Sequence, residues 1–154
     1  MVGIDVRFQL PNYISEVQEQ GILDQCFDTL MELRGPNDLT VLLDSINNFL
    51  PLAHENIQQL HREMCYSVVR FDEVVTYVNR LQSNAICIGG GRLADRCYDM
   101  LRACQRFDQE MCDELFSRVR EEYSILVRTL KIIYEMEAII VSAQMRRLRN
   151  NLPK

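Results

Sequence analysis

The hydrophobic positions of this chain recur at helical spacing along most of its length. Between Phe71 and Cys87 apolar residues follow steps of three and four, which predicts a helix with one buried stripe: Phe71, Val74, Val75, Val78, Leu81 and Ala85. A second line at the same spacing is polar and forms another face: Asp72, Thr76, Asn79 and Ser83. Because these polar side chains are mostly short, this face leaves room for another protein to approach the helix backbone.

Two short helices are predicted before this segment. Residues 1–20 form an amphipathic pattern with a helix breaker at Pro11, and Gly21 separates them from a second helical run. That run places five apolar residues on one side: Ile22, Cys26, Phe27, Leu30 and Leu33. Gly35 and Pro36 are predicted to end it, with Gly35 in the left-handed conformation that follows many helices.

A longer third helix is predicted from Leu39 to about Cys65. Asn37 or Asp38 is the expected N-cap, because a short polar side chain there can accept a hydrogen bond from a free backbone N–H group. Pro51 lies inside this helix and removes one backbone donor, which predicts a kink near residues 47–51. Its apolar positions continue the helical spacing to Met64.

The last two helices complete an all-α pattern. A fifth helix follows the glycines at 89–91, and the longest one begins near Cys112 with a seam that Glu137 interrupts: Phe116, Val119, Tyr123, Leu126, Leu130, Ile133 and Ile140. No alternating strand pattern persists. The predicted fold is all-α, with six helices in one domain over residues 1–154. The last four form an up-down four-helix bundle over about 37–148, and the two short helices cover one end.

Composition and charge narrow the classes of partner. Of the 154 residues 47% are hydrophobic and 25% charged, which is typical of a soluble globular protein, and the net charge is −5. An acidic chain is a poor partner for nucleic acid or an anionic membrane surface. The basic end at Arg146, Arg147, Arg149 and Lys154 is interpreted as a helix C-terminus. No apolar run is long enough to span a membrane, and residues 1–13 lack the pattern of a secretory signal, so an intracellular protein is expected.

Candidate catalytic and metal-binding residues are few. The six cysteines include no CxxC pair and are interpreted as small hydrophobic residues, so no metal, disulfide or cofactor is expected. His54 and His61 lie seven residues apart and could be ligands or phosphoacceptors, although two solvated side chains are favoured. The glycines at 89–91 lack the GxxxxGK[ST] spacing of a phosphate-binding loop, which favours a tight turn between helices.

One stretch resembles a known signature. Residues 77–89, YVNRLQSNAICIG, are similar to the motif V-H-Q-L-K-G-S-S-S-S-(I/V)-G of plant-type histidine-containing phosphotransfer proteins, and the likeness covers about residues 20–145. It implies a six-helix protein built on a four-helix bundle. It also implies a role in carrying a phosphoryl group from the receiver domain of a hybrid sensor histidine kinase to a response regulator.

Four positions depart from this motif. Asn79 stands in place of the phosphorylated histidine, Arg80 in place of glutamine, Gln82 in place of the basic residue and Ser83 in place of glycine. The amide nitrogen of asparagine has its lone pair delocalised into the carbonyl group, so it cannot accept a phosphoryl group at neutral pH. The combination resembles the pseudo-phosphotransfer members of the family, which act as negative regulators of cytokinin signalling.

The resemblance therefore implies a competitor and not an enzyme. We expect a monomer, in cytoplasm and nucleus, that binds receiver domains of sensor histidine kinases and response regulators without accepting phosphate. The expected docking residues, with apolar neighbours from the second and third helices, are Thr76, Asn79, Arg80, Gln82 and Ser83. Two alternatives stay open: a helical interaction bundle with an unrelated partner, and active phosphotransfer through His54 or His61.

Overall fold

The structure of the protein is a computed structural model that describes residues 5–152. These residues form six α-helices, and the predicted all-α fold is confirmed. The helices are α1 (Val6–Glu19), α2 (Cys26–Glu32), α3 (Val41–Met64), α4 (Phe71–Ile88), α5 (Gly91–Gln105) and α6 (Gln109–Asn150).

Helices α3 to α6 form an up-down bundle in which each packs against its neighbour in the chain and α6 closes the ring against α3. Two contacts show that α3 and α6 are antiparallel. Near the start of α3, the Asn47 amide donates a hydrogen bond to the Tyr134 hydroxyl over 3.1 Å. Just beyond its other end, the Gln109 amide donates to the carbonyl oxygen of Ser67 over 3.2 Å. The predicted bundle topology follows from these pairings.

Helix α6 is longer than its partners and extends beyond the bundle. Its 42 residues span about 63 Å, against about 36 Å for the 24 residues of α3. Helix α1 packs along α6 through buried Leu10, Ile14 and Val17, while α2 packs against α3 and α4. Both short helices lie at the end of the bundle where α3 begins and α4 ends, as predicted.

The glycines at 89–91 make the tight turn between α4 and α5. Gly89 has φ 78° and ψ 24°, in the left-handed region that glycine adopts without steric cost. The backbone N–H of Asp24 donates to the Gly89 carbonyl oxygen over 2.8 Å, which ties this turn to the start of α2. A Cβ atom on Gly90 would lie 2.7 Å from a methyl carbon of Leu126. The prediction of a helix–helix turn is confirmed.

Pro11 does not break α1, and that prediction was wrong. The helix continues from Val6 to Glu19 with Pro11 as its sixth residue. Proline at this position removes a single backbone hydrogen bond near the start of the helix. The burial of Leu10 and Ile14 on either side of it stabilises the helical conformation, since both side chains are in the core.

The predicted boundaries between α2 and α3 also need correction. Helix α2 is only seven residues long and ends at Glu32, before Gly35, which does not adopt a positive φ. Cys26 and Leu33 were predicted to share the packed side with Phe27, but both are exposed. Thr40, and not Asn37 or Asp38, is the N-cap residue of α3, where its hydroxyl donates to the Asp44 carboxylate over 3.0 Å.

Glu137 interrupts the apolar seam of α6 because it forms a buried ion pair. Its side chain is fully buried, and one carboxylate oxygen accepts a hydrogen bond from Arg34 over 2.7 Å. The other oxygen, Oε2, has no hydrogen-bond partner among the described residues. Burial raises the pKa of Glu137 above its ordinary value, while the Arg34 guanidinium opposes that rise.

Candidate functional site

The polar line predicted on α4 is a continuous exposed stripe. All four of its members are exposed: Asp72, Thr76, Asn79 and Ser83. On the opposite side of the helix Val74, Val78, Leu81 and Ala85 are fully buried. Both sets of residues repeat at the helical spacing of three and four but start at different positions, so they lie on different sides of the helix.

A groove runs between this stripe and α3. It has a volume of about 450 Å³ and is lined by Leu52, Glu55, Asn56, Asn79, Arg80, Ser83 and Asn84. We call it the α3–α4 groove. A second depression of about 280 Å³ continues it toward the end of α4 and shares Leu52 and Asn84 with it. The two helices therefore present one long concave surface.

Two asparagines form the floor of the α3–α4 groove. The Asn56 amide donates to the Asn84 side-chain oxygen over 2.8 Å, which joins α3 to α4. Asn56 is buried, and a buried polar group without a partner is costly. The pair fixes the relative position of the two groove walls and gives the floor a polar surface.

Arg80 gives one wall of the groove a positive charge. Its guanidinium carbon lies 5.5 Å from the centre of the Tyr77 ring, a cation–π contact that leaves the charge available. Within residues 5–152 no carboxylate oxygen lies within 4.0 Å of this guanidinium. An exposed arginine without an ionic partner can bind an acidic group of another molecule through two parallel hydrogen bonds.

The predicted site residues are only partly brought together. Asn79, Arg80 and Ser83 line the α3–α4 groove. Thr76 lies one turn earlier on the exposed stripe, where its hydroxyl donates to the Asp72 carbonyl oxygen over 3.0 Å. Gln82 is half-buried and lies outside the groove, about 60° around α4 from Asn79 on the side away from Arg80.

The sequence predicted apolar neighbours from the second and third helices without naming them, and only the third helix, α3, lines the groove. Leu52, Glu55 and Asn56 form the opposite wall and part of the floor, and α2 lines no part of the groove. One signal was present in the sequence, because Asn56 occupies the buried line of α3 between Ala53 and Leu60. A polar residue at a core position of a helix indicates a hydrogen-bond partner on a neighbouring element.

The histidines lie outside the groove. His54 and His61 are both exposed on α3, and neither lines either depression between α3 and α4. His61 Nε2 lies 3.8 Å from the sulfur of Cys65, one turn further along the helix. In the part of the chain that the structure describes, no group of three His, Cys, Asp or Glu side chains could hold a metal ion.

No helix in the described range combines the length and apolar character needed to cross a membrane.

Comparison with known proteins finds similarity to histidine-containing phosphotransfer proteins. No protein-family model matches the sequence. The chain is 23% identical over 134 residues to histidine-containing phosphotransfer protein 1 of Arabidopsis thaliana, covering 87% of each chain. Its fold matches the crystal structure of a histidine-containing phosphotransfer protein from Medicago truncatula with a TM-score of 0.82 and 19% identity, over 90% of this chain and 94% of the other. The crystal structure of a histidine-containing phosphotransfer protein from maize matches with a TM-score of 0.79 and 22% identity, over 88% of this chain and 99% of the other.

These relatives and structural neighbours are histidine-containing phosphotransfer proteins. This chain is similar to them in sequence and in fold. The structural matches show the six-helix fold, and the Arabidopsis relative extends over most of both sequences.

Proposed function

We propose that this protein is a pseudo-phosphotransfer protein, which binds receiver domains without accepting their phosphoryl group and thereby damps a phosphorelay of the cytokinin type. One observation carries the proposal. Asn79, at the position where the similar motif has its histidine, is exposed on a groove wall together with Arg80 and Ser83. A surface suited to docking is thus combined with a residue that cannot take part in phosphoryl transfer.

The chemistry of Asn79 supports a binding role without transfer. A phosphoacceptor must attack the phosphorus atom of an aspartyl phosphate with a localised lone pair, which an imidazole nitrogen has and a carboxamide nitrogen lacks. The carboxamide can still donate and accept hydrogen bonds at the surface of an approaching receiver domain. Because Asn79 is exposed, it can make this contact. Because its nitrogen cannot accept the phosphoryl group, the group stays on the receiver.

Arg80 supplies the electrostatic part of the proposed docking. The phosphorylation site of a receiver domain is an acidic pocket, and the guanidinium of Arg80 is exposed beside Asn79 with no ionic partner among the described residues. Exposed Leu52 on α3 lines the same groove as this charge, and exposed Ile86 lies two turns beyond Asn79 on the same side of α4, so both add apolar surface near it. An apolar surface around one charged anchor is a common arrangement at protein interfaces.

Ser83 limits how closely a receiver can approach. Its side chain is exposed in the groove, four residues after Asn79 and therefore on the same face of α4. The similar motif has glycine there, so the hydroxymethyl group of Ser83 occupies space that a partner would otherwise fill.

Replacing Ser83 with glycine is expected to strengthen receiver binding by about fivefold or more, since removing an overpacked group recovers about 1 kcal/mol or more. The measurement is the dissociation constant of a receiver domain by titration calorimetry. Ser117→Gly is the matched control, because Ser117 is also exposed inside a helix but lies on α6, outside the groove. An unchanged or weaker affinity for the Ser83 variant would contradict this placement of the docking face.

Two alternative functions have different experimental outcomes. A helical bundle with an unrelated partner would show no receiver binding at all, in wild type or variant. Phosphotransfer through His54 or His61 would give a labelled protein, and the label would be lost when both histidines are replaced. We favour the competitor because Asn79, Arg80 and Ser83 line the groove and the histidines do not. Under this proposal the protein acts as a monomer in the cytoplasm and nucleus.

A further inference from the structure

Two cysteine sulfur atoms face each other in the core where α5 turns into α6. The Sγ atoms of Cys104 and Cys112 are 3.6 Å apart, and both residues are buried. Cys104 is in the last turn of α5 and Cys112 is the fourth residue of α6. The sequence shows only two cysteines eight residues apart, and the reversal of the chain between the helices brings them together.

We propose that Cys104 and Cys112 form a reversible intramolecular disulfide when the protein meets a two-electron oxidant such as hydrogen peroxide. A disulfide requires the sulfurs to approach to about 2.05 Å, so the contact must close by roughly 1.5 Å. Rotation of the two side chains and a small shift of the turn can supply that movement. This proposal is independent of receiver docking.

The connecting turn is the part of this hairpin best suited to such a shift. Phe107 has a φ of 54°, the one positive φ among the non-glycine residues from 5 to 152, and its side chain is 74% exposed. A bulky residue in this conformation is strained. The Phe107 ring packs edge-on against the Phe71 ring, with centroids 5.5 Å apart, so opening of the turn must also break this contact. Opening of this turn would admit a small oxidant to the two sulfurs at less cost than opening a helix.

The contact also makes the two thiols unequal. When Cys104 is ionised, the Cys112 thiol can donate a hydrogen bond to its thiolate, and this stabilisation lowers the pKa of Cys104. The same hydrogen bond, together with burial, raises the pKa of Cys112. Since the thiolate is the reactive form, Cys104 is the sulfur expected to react first.

The reaction balances with peroxide as the oxidant. The Cys104 thiolate attacks one peroxide oxygen, an S–O bond forms as the O–O bond breaks, and the departing hydroxide takes the proton that Cys104 released. The Cys112 sulfur then attacks the sulfur of the Cys104 sulfenic acid, the S–S bond forms, and the S–O bond breaks. The second hydroxide takes the Cys112 proton. Two thiols are oxidised, and one peroxide is reduced to two waters.

The test is peptide mapping of the full chain after brief exposure to hydrogen peroxide, followed by alkylation in denaturant. We expect a peptide pair joined through Cys104 and Cys112, two fewer alkylated thiols, and recovery of both thiols with dithiothreitol. Cys112→Ser should abolish the linked pair. Cys97→Ala is the control that should retain it, because Cys97 is equally buried on α5 but takes no part in the contact. Burial raises the pKa of the Cys97 thiol to about 12, so it should remain unmodified.

A second measurement compares stability. The urea midpoint of oxidised wild type should exceed that of reduced wild type, because the cross-link restricts the unfolded chain, and Cys104→Ser should show no such rise. The proposal is overturned if peroxide modifies the exposed Cys26, Cys65 and Cys87 while Cys104 and Cys112 remain thiols. It is also overturned if Cys104 is linked to another cysteine. Mapping of wild type decides both points without requiring any variant to fold.

Discussion

Replacing Arg34 with alanine is expected to destabilise the protein by about 2–3 kcal/mol at pH 7.5, measured as the free energy of unfolding in urea. The change leaves the Glu137 carboxylate fully buried without its ionic partner. Removing one member of a buried pair typically costs about 3–5 kcal/mol. The lower figure is expected here because the Arg34 side chain is 30% exposed and because Glu137 can take up a proton.

A matched control distinguishes the effect of leaving a buried charge unpaired from the effect of losing an exposed ion pair. Arg118 pairs with Glu114 one turn away on α6, and both side chains are more than half exposed. Arg118→Ala is expected to change stability by less than about 0.5 kcal/mol, as is usual for exposed pairs. Equal effects of the two substitutions would contradict the account of Glu137 as a buried charge held by Arg34.

The effect of Arg34→Ala should also depend on pH. Burial raises the folded-state pKa of Glu137 above its ordinary value of 4.5, so the folded protein holds this proton more tightly than the unfolded chain. The stability that protonated Glu137 contributes is fully present below its pKa in the unfolded chain. This stability is lost as the pH rises through its pKa in the folded protein. Removing Arg34 raises the folded pKa further. The difference between wild type and variant should therefore be small near pH 4 and grow toward neutral pH.

Replacing Gly89 with alanine should lower the free energy of unfolding by about 2–4 kcal/mol. A left-handed conformation costs an alanine about 1–2 kcal/mol, and Gly89 has φ 78°. The added Cβ would also lie 2.9 Å from the backbone nitrogen of Phe27 and 3.2 Å from its Cβ, so α2 would have to move. Because this turn joins α4 to α5 and accepts a hydrogen bond from Asp24, the strain acts on three helices.

Gly35→Ala is the control for this prediction. A Cβ on Gly35 would meet nothing within 4 Å, and the residue does not have a positive φ. Its replacement should leave stability within about 0.5 kcal/mol of wild type or raise it slightly, since alanine restricts the unfolded chain. If both alanine variants unfold at the same urea concentration, the role assigned to the left-handed turn is wrong.

The elements that were predicted most accurately are determined by residues within their own segment. The apolar stripe of α4 and the glycine that ends it lie within the segment, and the helix was predicted to within one residue of its observed end at Ile88. The polar stripe containing Asn79 follows from the same period. By contrast, the end of α2 and the start of α3 depend on packing against neighbouring helices, which the local sequence does not show. Gly35 and Asn37 carried the usual sequence signals but do not have the predicted roles.

The parts that sequence reasoning missed depend on contacts between distant residues. Arg34 and Glu137 are 103 positions apart, and the sequence showed Glu137 only as a break in an apolar seam. Asn56 and Asn84 are 28 positions apart, so the particular residues of α3 that line the groove could not be named before the two helices were placed side by side. The Asn79 side of the groove could be predicted from the sequence because Asn79, Arg80 and Ser83 are neighbours on one helix.

The measurement that tests the proposed function most directly uses one phosphorylated receiver domain in two assays. The first follows transfer of the phosphoryl group to this protein, with a histidine-bearing phosphotransfer protein as the positive control. The second follows transfer to that control protein as increasing amounts of this protein are added. The account predicts no label on this protein and inhibition that rises with its concentration, because Asn79 cannot accept the group while the α3–α4 groove competes for the receiver. Label on this protein, or transfer to the control that continues undiminished, would contradict it.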